Sequence, residues 1–222
     1  MRSGYPIVVD VSKRTVVIIG GGAVAARKVR GLVAAGAGRV RVVAMSFFDE
    51  LPGDVERVAE AYDERHLRGA DLVFAATDDS TVNLRVVRDA RRLGILVCRA
   101  DDDDEHPGDF ITPAVHRDGP LTLAVTAGSA ALSAAVRDGI AKRLDPRWAR
   151  MAEAMRVLRP RVRDDPRLPP ARRRTIFRDL ASDEALAAAL DGPESVWTWL
   201  LARNPDLAEQ STTQHSALST QH

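Results

Sequence analysis

The 222-residue sequence lacks several features that mark particular classes of protein. It has a single cysteine, Cys98, which excludes an internal disulfide and a cysteine-rich zinc site. Its apolar stretches are of strand length, well short of the roughly 20 residues that span a bilayer. The net charge is only +1, so no bulk electrostatic field draws the chain to nucleic acid. We therefore expect neither a nucleic-acid nor a membrane partner.

Lysine is also scarce. Only Lys13, Lys28 and Lys142 are lysines among the 32 Lys and Arg residues, which leaves 29 arginines. This bias is explained either by genomic base composition or by arginines that hold carboxylates through two-pronged pairing, which Arg does better than Lys. The sequence leaves both explanations open.

The overall composition is that of a folded globular chain. Hydrophobic residues make up 45% of the sequence and charged residues 28%, and the length allows one or two domains. The first residues, MRSGYPIVVDVSKR, contain neither an apolar run of signal-peptide length nor a small-residue cleavage site. We therefore expect a cytoplasmic protein.

The first hundred residues alternate short apolar runs with amphipathic runs. The apolar runs predict buried strands at 15–19, 40–44, 72–76 and 95–98. Runs with helical spacing predict helices at 24–35 and 81–93. Short apolar strands separated by helices are typical of a parallel sheet covered on both faces, so the sequence predicts an α/β fold here.

The pattern changes after the acidic, Pro- and Gly-containing stretch at 101–109. Two strands at 111–115 and 121–126 and a helix at 133–143 predict a second, smaller α+β unit. From Arg147 onward the sequence predicts short helices at 147–158, 172–180, 183–190 and 194–201. Ser182 is the expected N-cap of the third of these, and the prolines at 160, 166, 169 and 170 are expected to separate the first two. The polar tail from Asp206 is predicted to be disordered.

The strongest local motif is the glycine-rich run TVVIIGGGAVAARKV at 15–29. A buried strand leads directly into three glycines and a helix, in a G-x-G-x-x-A pattern that ends at Ala25. Gly20 permits the tight turn, Gly22 lets the backbone approach a pyrophosphate, and the first N–H groups of the helix bind the phosphates. A glycine-rich turn that binds nothing is the alternative, but the strand-turn-helix context favours a Rossmann-like dinucleotide site. The cofactor-binding residues predicted in this turn are Gly20, Gly21, Gly22, Ala23 and Val24.

One part of the dinucleotide fingerprint is missing. An Asp or Glu at the end of the second strand would hold the adenosine ribose hydroxyls. Here the strand ends in Val43, Ala44, Met45 and Ser46, and no Arg replaces the acid to hold a 2'-phosphate. The residues themselves therefore leave the choice between NAD and NADP open.

A second motif, LVFAATDDSTVN, occupies residues 72–83. Its strand places Asp78 and Asp79 at the carboxyl edge of the sheet, where an open parallel sheet binds its ligand. Asp79 or Ser80 is alternatively the N-cap of the next helix, and both roles are compatible. The cofactor-binding residues predicted in this motif are Thr77, Asp78, Asp79 and Asn83. The two motifs alone would also suit a non-catalytic nucleotide-sensing domain of a potassium transport system.

The downstream segments distinguish between these possibilities. The run GILVCRADDDDEHPGDFITPAVHRDGPLTLAVTAG at 94–128, with GGGAVAARKV and AATDDSTVN, resembles the siroheme synthase family of precorrin-2 dehydrogenases. In that family a strand ends in an Asp, a variable loop leads to a Phe followed by Pro, and an Arg-bearing turn precedes a strand of the type Leu-x-x-Ala-Val. The stretches LRPRVRD and RRRTIFRDL are similar to the family's helical C-terminal unit. The resemblance covers residues 5–180.

This resemblance implies NAD-dependent oxidation of precorrin-2, a carboxylate-rich reduced tetrapyrrole, to sirohydrochlorin. Several members also insert ferrous iron to give siroheme, and the smaller domains of two chains pair to form a homodimer. The implied architecture is a Rossmann-like NAD-binding domain at 1–112, a dimerisation domain at 113–145, a helical domain at 146–205 and a tail at 206–222. The chain resembles the free-standing form of the family, without its methyltransferase domain.

The resemblance also implies an essential Asp at the end of the fifth strand. Aligned without gaps from Ile95, that Asp falls on Asp101; aligned backward from Phe110, it falls on Asp103, with Asp102 between them. Because strand register is less elastic than loop length, we expect Asp101 to be the catalytic residue. The alternative is that the four aspartates form only a solvated loop.

Two further features bear on iron insertion. Some family members have a Ser where this chain has Ala127, so the resemblance supports the dehydrogenase more than the chelatase. The five histidines show no helical ligand spacing and predict no metal site. His106, beside the acidic loop, is either a surface residue or one that assists an iron ion.

Overall fold

The computed structural model describes residues 4–52, 54–101 and 107–208. The chain divides into two compact units, Met1–Thr112 and Pro113–His222. No helix within the described part of the chain combines the length and apolar composition needed to cross a bilayer. The cytoplasmic location expected from the sequence stays a prediction.

The first unit contains a five-stranded sheet in which every neighbouring pair is parallel. Its strands are β1 (Thr15–Ile19), β2 (Arg39–Val43), β3 (Glu56–Val58), β4 (Leu72–Ala75) and β5 (Leu96–Arg99). Helix α1 (Ala23–Ala34) follows β1, and α2 (Ser80–Arg92) follows β4. The order β3-β2-β1-β4-β5 places a crevice at the carboxyl ends of the strands, where the strand order reverses beside β1. The predicted α/β, Rossmann-like fold class is confirmed.

The alternation of side chains along β1 explains why helices cover both faces of the sheet. Val16 and Ile18 belong to the apolar core that contains α1 residues such as Val29. Val17 and Ile19 belong to a second core, which contains Val86 and other residues of α2. Successive strand residues point to opposite faces, so a strand that is apolar throughout requires cover on both.

Strand β3 was not predicted from the sequence. It is only three residues long and lies at the edge of the sheet, and none of its side chains is fully buried. An exposed edge strand of this length carries no apolar run, so periodicity does not reveal it. A short 3-10 helix, Glu64–Leu67, follows it.

The second unit begins with an antiparallel hairpin of β6 (Ala114–Asp118) and β7 (Leu121–Val125), followed by α3 (Ala130–Ala141). The strand predicted at 111–115 was wrong by three residues. The register starts at the turn, where Gly119 adopts a φ of +53° and Asp118 pairs with Leu121. The turn at Gly119 therefore fixes the end of β6 at Asp118. Five paired residues counted back from the turn place its start at Ala114.

The rest of this unit is helical and has its own apolar core. Its α-helices are α4 (Arg147–Arg163), α5 (Pro170–Asp179), α6 (Asp183–Ala188), α7 (Pro193–Arg203) and α8 (Pro205–Ala208). Residues from all five meet in that core, including Leu158, Ile176, Leu186, Leu200 and Leu207. Ser182 is confirmed as the N-cap of α6, since its hydroxyl accepts the Ala185 N–H at 3.3 Å.

The prediction that Pro160 separates the first two of these helices was wrong. Pro160 lies inside α4, and its carbonyl still accepts the Asp164 N–H at 2.9 Å. A proline near the end of a helix removes one hydrogen bond, and the buried Leu158 and Val162 on either side pack this turn into the core.

The predicted boundary at residue 145 stays a prediction. Within the predicted tail, residues 206–208 belong to α8, and residues 209–222 lie outside the described residues.

Candidate functional site

A cleft of about 910 Å³ lies at the carboxyl ends of the parallel strands of the first unit. Its volume is within the range of small-molecule and cofactor sites. Residues that follow all five strands contribute to its wall. Among the residues predicted from the sequence, the wall contains Gly20, Gly21, Gly22, Ala23, Val24, Thr77, Asp78, Asp79 and Asp101.

The three glycines of the turn between β1 and α1 have different structural roles. Gly20 has a φ of +123°, and a Cβ there would overlap the carbonyl oxygen of Ala76. A Cβ on Gly21 would overlap the carbonyl oxygen of Ser46. Gly22 has an ordinary φ of −80°, and a Cβ there would meet no described atom within 4 Å. Packing therefore requires Gly20 and Gly21, whereas Gly22 leaves open space for a ligand to approach the backbone.

The N-terminus of α1 faces the same cleft. Gly22 is its N-cap, and among the described residues no side chain caps it and no acidic residue occupies its first turn. The first intrahelical bond runs from Ala26 N–H to the Gly22 carbonyl at 3.0 Å, so the N–H groups of Ala23 and Val24 have no partner within the helix. These groups and the positive end of the helix dipole form an anion site, which fits the pyrophosphate of a dinucleotide.

Asp79 is the N-cap of α2, one of the two roles that the sequence suggested for it. Its Oδ1 accepts hydrogen bonds from the N–H groups of Thr81 at 2.8 Å and Val82 at 3.3 Å. Hydrogen bonds from the Thr81 hydroxyl and these N–H groups hold the pKa of Asp79 below its ordinary value. Since Asp79 also lines the cleft, it is a charged group fixed at the wall.

Asn83 is fully buried and lies behind the wall of the cleft. Its Oδ1 accepts from the N–H of Thr77 at 3.1 Å and from the Thr77 hydroxyl at 2.8 Å. Its Nδ2 donates to the Thr77 carbonyl at 3.0 Å and to Asp101 Oδ2 at 3.2 Å. The amide thus joins the residues that follow β4 and β5. These bonds to the protein occupy both ends of the amide. The predicted contact between Asn83 and the cofactor stays a prediction.

Asp101 lies two residues beyond the end of β5, with its side chain 28% exposed. Arg99, whose side chain is only 1% exposed, donates from Nε to Oδ1 at 2.6 Å and from Nη2 to Oδ2 at 2.9 Å. Partial burial raises the pKa of Asp101, but the hydrogen bonds from Arg99 and Asn83 and the Arg99 charge outweigh it, so the pKa lies below its ordinary value. Asp101 is therefore an ionised carboxylate in a fixed position.

The sequence analysis missed the pairing of Arg99 with Asp101. Its only sequence signal is the spacing of two residues, which places both side chains on one side of an extended chain. The alternatives Asp102 and Asp103, and also His106, lie outside the described residues.

The sequence analysis also missed the wall beyond β3, formed by Glu60, Ala61 and Tyr62. The Tyr62 hydroxyl donates to Asp89 Oδ2 at 2.9 Å, and burial together with this carboxylate raises the pKa of Tyr62. Glu60 accepts hydrogen bonds from His66 and Arg65, which lower its pKa. Within residues 4–52, 54–101 and 107–208, no three His, Cys, Asp or Glu side chains group as metal ligands.

The sequence is similar to known proteins over most of its length. Residues 7–114 match a family described as putative NAD(P)-binding, which supports NAD as the cofactor of this cleft. Siroheme synthase 1 of Pectobacterium atrosepticum is 35% identical over 176 residues, which cover 76% of this chain and 36% of that protein. Siroheme synthase of Nitrosospira multiformis is 35% identical over 207 residues, which cover 86% of this chain and 43% of that protein. The chain thus spans less than half the length of these relatives.

Among solved structures, SirC, a precorrin-2 dehydrogenase, has a TM-score of 0.69 at 20% identity. The match covers 89% of this chain and 98% of that chain. At this identity the likeness shows a shared fold.

Proposed function

The chain belongs to the siroheme synthase N-terminal family, and from this premise we propose that it oxidises precorrin-2 to sirohydrochlorin with NAD as the hydride acceptor. The observation that carries the proposal is the cleft, which is lined by an uncapped helix N-terminus, by the open backbone at Gly22 and by the ionised Asp101. An anion site for the pyrophosphate and a fixed charge for the chemistry are thereby present in one cavity.

The proposed reaction removes a hydride and a proton from the macrocycle, giving NADH and H⁺ from NAD⁺. When bound, NAD supplies the hydride acceptor. The first turn of α1 would bind the pyrophosphate through its N–H groups, and the residues after β4 and β5 would lie beside the nicotinamide half. The tetrapyrrole becomes more positive as hydride leaves, so a carboxylate held nearby stabilises the charge that develops.

Asp101 is the proposed catalytic residue. A carboxylate at the cleft could serve either as a general base or as a group that orients the ring. A general base works best with a pKa near the working pH, whereas the pKa of Asp101 is lowered. We therefore assign Asp101 to orienting the macrocycle and stabilising its charge, with Arg99 and Asn83 holding the carboxylate in place.

Ferrous iron is included in the proposal as a second substrate. Iron insertion displaces the pyrrole N–H protons, and Asp101 is the described carboxylate that would orient the macrocycle and stabilise its charge in this step as well. Some family members carry Ser where this chain has Ala127, a difference that favours the dehydrogenase over the chelatase.

Anaerobic incubation with precorrin-2 and NAD tests the dehydrogenase directly. We expect NADH to form in proportion to the sirohydrochlorin produced, and ferrous iron added afterwards to yield siroheme. A protein that binds NAD but forms no NADH with precorrin-2 is a nucleotide sensor, and that result would overturn the proposed activity.

We also propose that the protein is a homodimer. Helix α3 exposes Leu132, Val136 and Ile140, which are spaced four residues apart and so share one helical face. In the described part of the chain, the adjacent sheet consists of the two strands β6 and β7, and a two-stranded sheet is marginal without further packing. A second copy of the chain packed on this face would bury its apolar side chains.

A further inference from the structure

We propose that Glu60 binds the adenosine ribose of NAD and makes the cleft select NAD over NADP, in place of the acid that the second strand lacks. This inference rests on the proposed cofactor site. It adds a specificity-determining residue that comes from β3, a strand not expected from the sequence.

The sheet places Glu60 where the missing acid would act. Strands β2 and β3 are parallel, with Val43 opposite Val58, so their carboxyl ends lie at one edge of the sheet. Glu60 follows β3 by two residues, and the cleft wall contains both Glu60 and the acid-free residues after β2. Both strands lie on the side of β1 opposite to β4 and β5. This end of the cleft therefore receives the adenosine half when Asp101 lies beside the nicotinamide half.

The neighbours of Glu60 hold one of its carboxylate oxygens and leave the other available. Oε2 lies 3.1 Å from His66 Nε2 and also accepts a hydrogen bond from Arg65. His66 is only 7% exposed, and its Nδ1 accepts the Asp63 N–H at 3.0 Å, so the ring proton is on Nε2 and points to Glu60. Among the described residues, none forms a hydrogen bond with Oε1, and the side chain is 48% exposed.

This arrangement distinguishes the two nucleotides by charge. A free carboxylate oxygen accepts hydrogen bonds from the ribose hydroxyls of NAD, as acids at the end of the second strand do in other dinucleotide sites. The 2'-phosphate of NADP would instead bring negative charge against an ionised carboxylate. Arg65, the nearby cation, is occupied by Glu60 and is more than half exposed. Removal of Glu60 would release this guanidinium to pair with a 2'-phosphate.

Calorimetric titration of the full chain with NAD⁺ and with NADP⁺ tests the proposal. We expect the wild type to prefer NAD⁺, and Glu60→Gln to bind NAD⁺ about tenfold more weakly, the scale of one hydrogen bond to a charged group. Glu60→Ala should in addition bind NADP⁺ more tightly than the wild type does. The double variant Glu60→Ala/Arg65→Ala should lose that gain. Glu64→Gln is the matched control, because Glu64 pairs with Arg92 and is not part of the cleft wall; it should leave both affinities unchanged.

The outcomes separate this inference from the cofactor proposal. If the wild type binds NAD⁺ and Glu60→Gln keeps both that affinity and the rejection of NADP⁺, the role of Glu60 is refuted while the cofactor site stands. An equal loss in Glu64→Gln would refute it as well, since the effect would then be one of overall charge. If the wild type binds neither nucleotide, both proposals fail. Thermal melting of each variant confirms that it is folded.

Discussion

The first and third glycines of the turn between β1 and α1 serve different purposes, since Gly20 is required by packing and Gly22 by the approach of a ligand. Substituting each in turn therefore tests stability and cofactor binding separately. At Gly20 the φ of +123° costs a non-glycine residue about 1 to 3 kcal/mol. The added Cβ would also lie 2.6 Å from the Ala76 carbonyl carbon, a backbone atom that cannot turn aside. We therefore expect Gly20→Ala to lower the free energy of unfolding by about 3 kcal/mol or more.

Gly22 should behave in the opposite way. Its backbone is ordinary and its surroundings are open, so Gly22→Ala should change the free energy of unfolding by less than about 1 kcal/mol. In Gly22→Asp the new side chain is a good N-cap for α1, so the fold should be retained. Its carboxylate would nevertheless lie in the path of the pyrophosphate, and we expect it to abolish NAD binding through steric and like-charge repulsion.

Urea unfolding and calorimetric NAD titration of the three variants check both expectations. With a denaturant slope of about 2 kcal/mol per molar, the urea midpoint of Gly20→Ala should fall by about 1.5 M. A wild-type midpoint for Gly20→Ala would contradict the close approach of the turn to the end of β4. Wild-type NAD affinity in Gly22→Asp would contradict the proposed position of the pyrophosphate.

Three further predictions follow from the site and the proposed dimer. Asp101→Ala should lower dehydrogenase turnover by about 100-fold or more with NAD affinity retained, whereas Asp103→Ala should lower turnover much less. Steady-state kinetics of the two variants check this. An inactive Asp103→Ala would mean that the alignment backward from Phe110 was right. Asp101→Asn should cost about 2 kcal/mol of unfolding free energy at pH 7, less than for a fully buried pair because Asp101 is 28% exposed. Since folding lowers the pKa of Asp101, its contribution to the free energy of unfolding is present above the unfolded pKa of about 3.9 and is lost as the pH falls through the folded pKa. Urea unfolding should therefore show that the difference in stability between Asp101→Asn and the wild type shrinks below about pH 4. Val136→Asp should convert the proposed dimer to a folded monomer, as measured by light scattering after size-exclusion chromatography; an unchanged mass would place the interface elsewhere.

Local chemistry was enough to predict the framework of the cleft. The apolar run of β1 and the three glycines specify a strand, a turn and a helix through residues that are neighbours in the chain. Ser182 was predicted as an N-cap, and Asp79 as one of two candidates with Ser80, for the same reason. A capping side chain bonds N–H groups two or three residues away. These features depend on periodicity and backbone conformation, which a single sequence displays directly.

Contacts between residues distant in the chain could not be predicted from the sequence. Glu60 lies in the cleft because β3, an edge strand without an apolar run, pairs with β2. Asn83 lies behind the wall because its amide bonds Asp101, 18 residues further along the chain. Pro160 continues a helix because the packed residues on either side of it outweigh one lost hydrogen bond. In each case, packing or pairing between segments distant in the chain determines the local structure, and that energy belongs to no single stretch of the sequence.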